Sequence, residues 1–66
     1  MKPATYQIDM MRKHAEDAAE LEKGGDYIEA HSLWSKAHLL AKAMCKRKLE
    51  HWYFARKHFC ASRIGG

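Results

Sequence analysis

Leu21-Glu22-Lys23-Gly24-Gly25-Asp26-Tyr27-Ile28-Glu29-Ala30 ends one helix and begins another. Glycine has no Cβ to resist the left-handed backbone of a helix C-terminus, so a helix arriving through Lys23 stops at the paired glycines. Asp26 then stands at an N-cap position with Glu29 three residues on, the reciprocal capping-box arrangement. A turn this short between two helices makes an antiparallel αα-hairpin. Upstream, apolar residues recur at Ile8, Met11, Ala15, Ala18, Ala19 and Leu21, one helical stripe, which predicts a first helix over about 6–23. Downstream, Tyr27, Ala30, Leu33, Trp34, Ala37, Leu40, Ala41 and Met44 share one side, with Glu29, Ser32, Ser35, Lys36 and Lys42 opposite, which predicts a second helix over 26–44. Tyr27, Leu33, Trp34, Ala37 and Leu40 are expected as core or self-association contacts.

After Gly25 no glycine or proline follows until Gly65, so propensity alone would carry the second helix to the end of the chain. Register opposes this. Continuing the stripe lands on Lys48, His51, Ala55 and His58, whereas the bulky apolar residues are Leu49, Trp52, Tyr53, Phe59 and Cys60. The apolar face has turned by roughly a quarter of a circle. A break within Met44–Lys48 and a third helix over 47–62 follow, the alternative being one long helix with two differently aimed faces. The expected fold is all-α: a single three-helix domain spanning 1–66, with flexible ends at 1–5 and 63–66.

The chain has 66 residues, room for one small domain that a partner or a staple would help to stabilise. Its 47% hydrophobic and 30% charged residues, with one proline, are a folded composition. Apolar runs are too short to span a membrane, and the N-terminus lacks the apolar core of an export signal, so a cytoplasmic location with reduced thiols is expected. The net charge of +4 is uneven. Residues 1–41 carry five Lys/Arg against seven Asp/Glu, and residues 42–66 carry seven against Glu50 alone. A basic end of this kind suits nucleic acid or an acidic protein surface.

Chemistry-bearing patterns are sparse. His31/His38 and His51/His58 are seven apart and cannot share one metal ion, and neither C-x2-C nor H-x3-5-H zinc spacing occurs, so no metal and no cofactor are expected and the histidines read as solvent-edge residues. Cys45 and Cys60 read as small buried or half-buried side chains. Glu16, Asp17, Glu20 and Glu22 read as a solvated face of the first helix. Three short helices rarely enclose the dry pocket that a nucleophile and its base need, so no enzyme is expected. In the third helix Lys46, Arg47 and Lys48 precede Trp52, Arg56 and Phe59, with Tyr53 at a border and Phe54 projecting elsewhere. Cations among aromatics could meet phosphate, but a groove-reading helix also wants Asn or Gln at its surface and this one has none. Direct DNA binding is therefore expected to be weak or absent. Trp, Tyr, Met and Arg are enriched in protein interfaces, and a domain this small cannot hide them all, so self-association as a homodimer is the simplest burial route.

The pattern Ala15-x-x-Ala18-Ala19-x-Leu21-Glu22-x-Gly24-Gly25-x-Tyr27-x-x-Ala30-x-x-Leu33-Trp34-x-x-Ala37-x-x-Leu40-Ala41, followed by Trp52-x-x-x-Arg56-x-x-Phe59-Cys60, resembles the AraC negative regulator (ANR) family of small regulators in Gram-negative pathogens, which are related in pattern to PerC-like regulators. Its first half alone is also similar to one tetratricopeptide hairpin. The Trp52, Arg56, Phe59, Cys60 tail separates the two. His31 and the additional aromatic Phe54 depart from the family pattern. The resemblance implies a negative transcriptional regulator that binds an AraC/XylS-family activator directly, blocks its dimerisation on DNA and damps virulence gene expression, with contact to the histone-like nucleoid-structuring protein also implied. On this reading Trp52, Arg56 and Phe59 form the partner face, with Lys46, Arg47 and Lys48 steering an acidic surface. The other reading is a small PerC-like DNA-binding regulator using the same basic helix.

Overall fold

A computed structural model describes residues 3–65, with side chains described for 6–64, and contains three helices: α1 (Pro3–Lys23), α2 (Tyr27–Ala43) and α3 (Arg47–Gly65). The helical class, the hairpin and the break before residue 47 are as the periodicity predicts. Both outer helices run further than expected. α1 opens at Pro3, whose fixed φ suits the first position of a helix, and α3 continues through Arg63 to Gly65. The expected flexibility of residues 1, 2 and 66 lies outside the described residues.

The two turns are built alike. At the first, Asp26 N–H reaches back to the Leu21 carbonyl at 2.9 Å and Gly25 N–H to that of Glu22 at 3.0 Å. At the second, Lys46 N–H reaches the Ala41 carbonyl at 2.9 Å and Cys45 N–H that of Lys42 at 3.1 Å. Both are Schellman caps, which satisfy the last helical carbonyls and need one residue in the left-handed region. Gly25 meets that demand at φ 86°, and Cys45 meets it at φ 58° despite its Cβ. This is why a helix ends at a position that carries no glycine. The expected capping box is half formed: the Asp26 side chain accepts from Glu29 N–H at 3.3 Å, but Asp26 N–H is already committed to Leu21.

α2 is the middle helix. It packs along both neighbours, while α1 and α3, which run parallel to each other, meet only sparsely. The buried core is Met11, Ala15 and Ala18 from α1, Ala30, Trp34, Ala37 and Ala41 from α2, and Tyr53 and Cys60 from α3. Tyr27, Leu33 and Leu40 lie half-buried against it. The alanines let the helices approach closely, and Trp34, 2% exposed, fills the space between all three. Truncating so large a buried ring costs about 3–5 kcal/mol, on the order of the whole stability of a domain this size.

The shared turn geometry makes opposite predictions at the two left-handed positions. Gly25→Ala places a Cβ at φ 86° and should lower stability by about 1 kcal/mol in urea denaturation, whereas Gly24→Ala, where a Cβ would meet only ordinary contacts near 3.7 Å, should be neutral or stabilising. Cys45→Gly should raise stability by about 0.5 kcal/mol, since relief of the left-handed strain exceeds the added backbone entropy of the unfolded chain.

Candidate functional site

Where α1 and α3 fail to meet, a groove runs over Trp34. Two adjoining cavities of about 360 and 390 Å³ lie along it and share Ala19, Trp34 and Trp52 in their walls. α1 contributes Ala15 and Ala19 flanked by the charged Arg12, Glu16, Glu22 and Lys23, and α3 contributes the aromatic rings. Trp52 stands edge-on to Trp34 with ring centroids 5.5 Å apart at 85°, a favourable aromatic geometry, yet stays 54% exposed. Tyr53, one residue on, turns inward and lies 5.6 Å from the Trp34 ring.

One carboxylate closes the groove floor. Glu22, near the end of α1, accepts the Trp34 Nε1–H of α2 at 2.7 Å and the Arg56 Nε–H of α3 at 3.3 Å on its Oε1, while Arg56 Nη2 donates to its Oε2. The Cys60 thiol, 3.5 Å from Oε1, completes the set. Burial alone would raise the Glu22 pKa, but the donors Arg56 and Trp34 and the guanidinium charge hold it below the ordinary value of 4.5. The same carboxylate acts oppositely on Cys60: burial first, then the Glu22 charge and hydrogen bond, push the thiol up to about 11. Cys60 therefore stays a protonated, inert donor.

The expected partner residues do not all lie alike. Lys46, Arg47 and Lys48 are exposed at the second turn and the start of α3, and Trp52 is exposed in the groove. Arg56 is instead engaged inside the molecule by Glu22. Phe59 is half-buried, edge-on to Tyr27 at 6.2 Å, with the Arg56 and Arg63 guanidinium groups 4.7 and 5.2 Å from its ring centroid. The reading of Glu22 as part of a solvated face is corrected. Asp17 and Glu20 do lie in solvent, beside Lys13 and Lys23 at 3.8 Å, but Glu22 points inward. Its position, one stripe-repeat after Ala15, was the available signal.

His38 also departs from the solvent-edge expectation. It is tucked between α2 and α3, its Nε2 3.8 Å from Glu50 Oε2 and its ring 5.5 Å from that of Phe54, which in turn lies edge-on to His58 at 4.3 Å. Among the described residues no three His, Cys, Asp or Glu side chains come together in a group able to hold a metal ion. Likewise, no helix among them is long and apolar enough to cross a membrane.

The junction predicts graded losses. Glu22→Gln keeps an acceptor for Trp34 and removes the charge, and should cost about 1–2 kcal/mol; Glu22→Leu strands three donors and should cost about 3 kcal/mol or more by chemical denaturation. The wild-type carboxylate, with its pKa depressed on folding, contributes stability fully present above pH 4.5 and lost as pH falls through the folded value; Glu22→Gln should lack that part of the acid destabilisation. Comparison with protein-family models, with curated proteins and with solved structures returns no match to this chain.

Proposed function

We propose that this chain is a negative transcriptional regulator that acts by direct contact with an AraC/XylS-family activator, blocking its dimerisation and DNA binding and so damping virulence gene expression. The observation that carries the reading is Trp52: a large aromatic left 54% exposed beside a notch of small residues, on a helix whose basic side chains face Glu50 alone among acidic ones. Exposed tryptophan in an apolar notch is the usual form of an interface anchor. Lys46, Arg47 and Lys48, one to two turns before it, supply a field that draws an acidic partner surface. Support also comes from the residues on which the family resemblance rests, since Glu22, Trp34, Arg56 and Cys60 form one connected junction that sets the spacing of the groove walls. On this reading the protein works by contact rather than catalysis, in the cytoplasm, pairs with itself, and extends its contacts to the histone-like nucleoid-structuring protein.

The competing PerC-like reading has α3 on DNA, and salt separates the two. Neutralising phosphates releases counterions and makes DNA affinity fall steeply with salt, whereas an aromatic-anchored interface weakens gently. The tagged chain, captured from its host lysate with and without nuclease, is expected to retain an AraC/XylS activator in both arms. Trp52→Ala should weaken that capture about tenfold or more, and alanine at Lys46, Arg47 and Lys48 should slow association with a smaller loss of affinity. Retention of nucleoid proteins alone, abolished by nuclease, would overturn the reading in favour of DNA.

A further inference from the structure

Two kinds of contact hold the outer helices, and acid reaches one of them. Apolar packing seats α1 and α3 on α2, through Met11, Ala15 and Ala18 on one side and Tyr53 and Cys60 on the other. Between α1 and α3 themselves, the hydrogen bonds among the described residues all run from Arg56 and Cys60 to the Glu22 carboxylate. We infer that Glu22 is an acid-sensitive latch: protonating its carboxylate lets α3 move away from α1 and opens the groove, while both helices stay seated on α2. The inference stands on the junction alone and holds whatever the groove binds.

The groups facing Glu22 from each element fix the direction of the movement. α1 supplies Lys23, which lines the same cavity as Arg56. α2 supplies the Trp34 Nε1–H, which carries no titrating charge. α3 supplies the Arg56 guanidinium and the Cys60 thiol, with the Arg63 guanidinium beyond them on the Phe59 ring. Ionised, Glu22 is the counter-charge between the two walls, and among the described residues it is the one carboxylate in contact with Arg56. Once it is protonated, Arg56 keeps its charge and faces Lys23 across the cavity without an anion between them. Glu20, beside Lys23 at 3.8 Å, lies out in solvent and screens it weakly. Relief lies outward, because the Arg56 side chain is already 35% exposed and gains water as α3 leaves α1.

The acid range follows from the same contacts. Burial opposes the ionised Glu22, but the Arg56 and Trp34 donors and the guanidinium charge overcome it, so its pKa lies below 4.5. The latch is therefore shut above pH 4.5 and opens as pH falls through the folded value. Cys60, pushed up to about 11, stays protonated throughout and adds no second step. Glu50 belongs to the α2–α3 seam, where it lines a separate cavity with His38 and Phe54, and does not act on the groove.

The test follows Trp34 alone, in the full chain carrying Trp52→Phe, by acrylamide quenching of its fluorescence and by far-ultraviolet circular dichroism from about pH 7 to about pH 2.5. Trp34 is 2% exposed, so a closed groove shields it. Quenching is expected to rise about threefold or more below pH 4.5, and to do so before helicity falls. In the same background Glu22→Gln, which is uncharged at every pH, should be quenched to the open level already at neutral pH and show no acid step. Glu50→Gln should keep the step. A rise that coincides with loss of helicity, no rise while helicity is intact, a Glu22→Gln chain that is closed at neutral pH or still responds to acid, or a step that vanishes with Glu50→Gln would each overturn the inference. If Glu22→Gln loses its helices, the order of the two transitions and the Glu50→Gln arm still decide.

Discussion

A single half-buried carboxylate holds the outer helices at their spacing. α1 and α3 share almost no packed surface, so their separation is set where Glu22 gathers the indole of Trp34, the guanidinium of Arg56 and the thiol of Cys60. Without that junction the apolar packing would still seat each outer helix on α2, but nothing else described would fix the distance between them. A half-buried charge of this kind contributes little net stability compared with apolar residues of the same volume; its value lies in the one arrangement that satisfies every donor. The groove is the result.

The hairpin and both core stripes could be read from periodicity because burying an apolar face at 3.6 residues per turn is the dominant requirement on a short helix. The second turn could be located only by the rotation of the stripe. Its left-handed residue is Cys45, and the non-glycine position carries no local signal of the conformation it adopts. Glu22 was misread for a related reason. Charged residues on short helices are overwhelmingly solvated, so composition favours an exposed reading. The contrary signal was positional: Glu22 continues the spacing of Ala15, and Arg56 lies between Tyr53 and Cys60 on the buried side of α3. Opposite charges placed on two core stripes imply a pair only once the helices are known to be neighbours. His38 was hidden by the same uncertainty over which sides of α2 and α3 face each other.

The proposed partner surface was legible in kind more than in membership. Trp52 and the Lys46–Lys48 run are displayed, but Arg56 and Phe59, which belong to the same sequence pattern, serve the scaffold behind them. A pattern spanning anchor and support cannot distinguish the two, because residues that hold a groove open recur at the same spacing as residues that line it. Exposed Ile28 and Leu39 on the outer side of α2, by contrast, were absent from the periodic stripe and have no part in the groove.

The order in which contacts lie along the chain has a consequence for how the molecule assembles. Each helical hairpin closes on itself through tight capped turns and near-neighbour packing, the kind of topology that folds quickly. The Glu22–Arg56 and Glu22–Cys60 contacts instead join residues 34 and 38 positions apart, the most non-local hydrogen bonds among the described residues. Loop-closure entropy places such links after the hairpins, so the two walls of the groove are brought to their final spacing last and released first. Weakening that junction would therefore act chiefly on the unfolding rate, leaving the speed of folding to the hairpins.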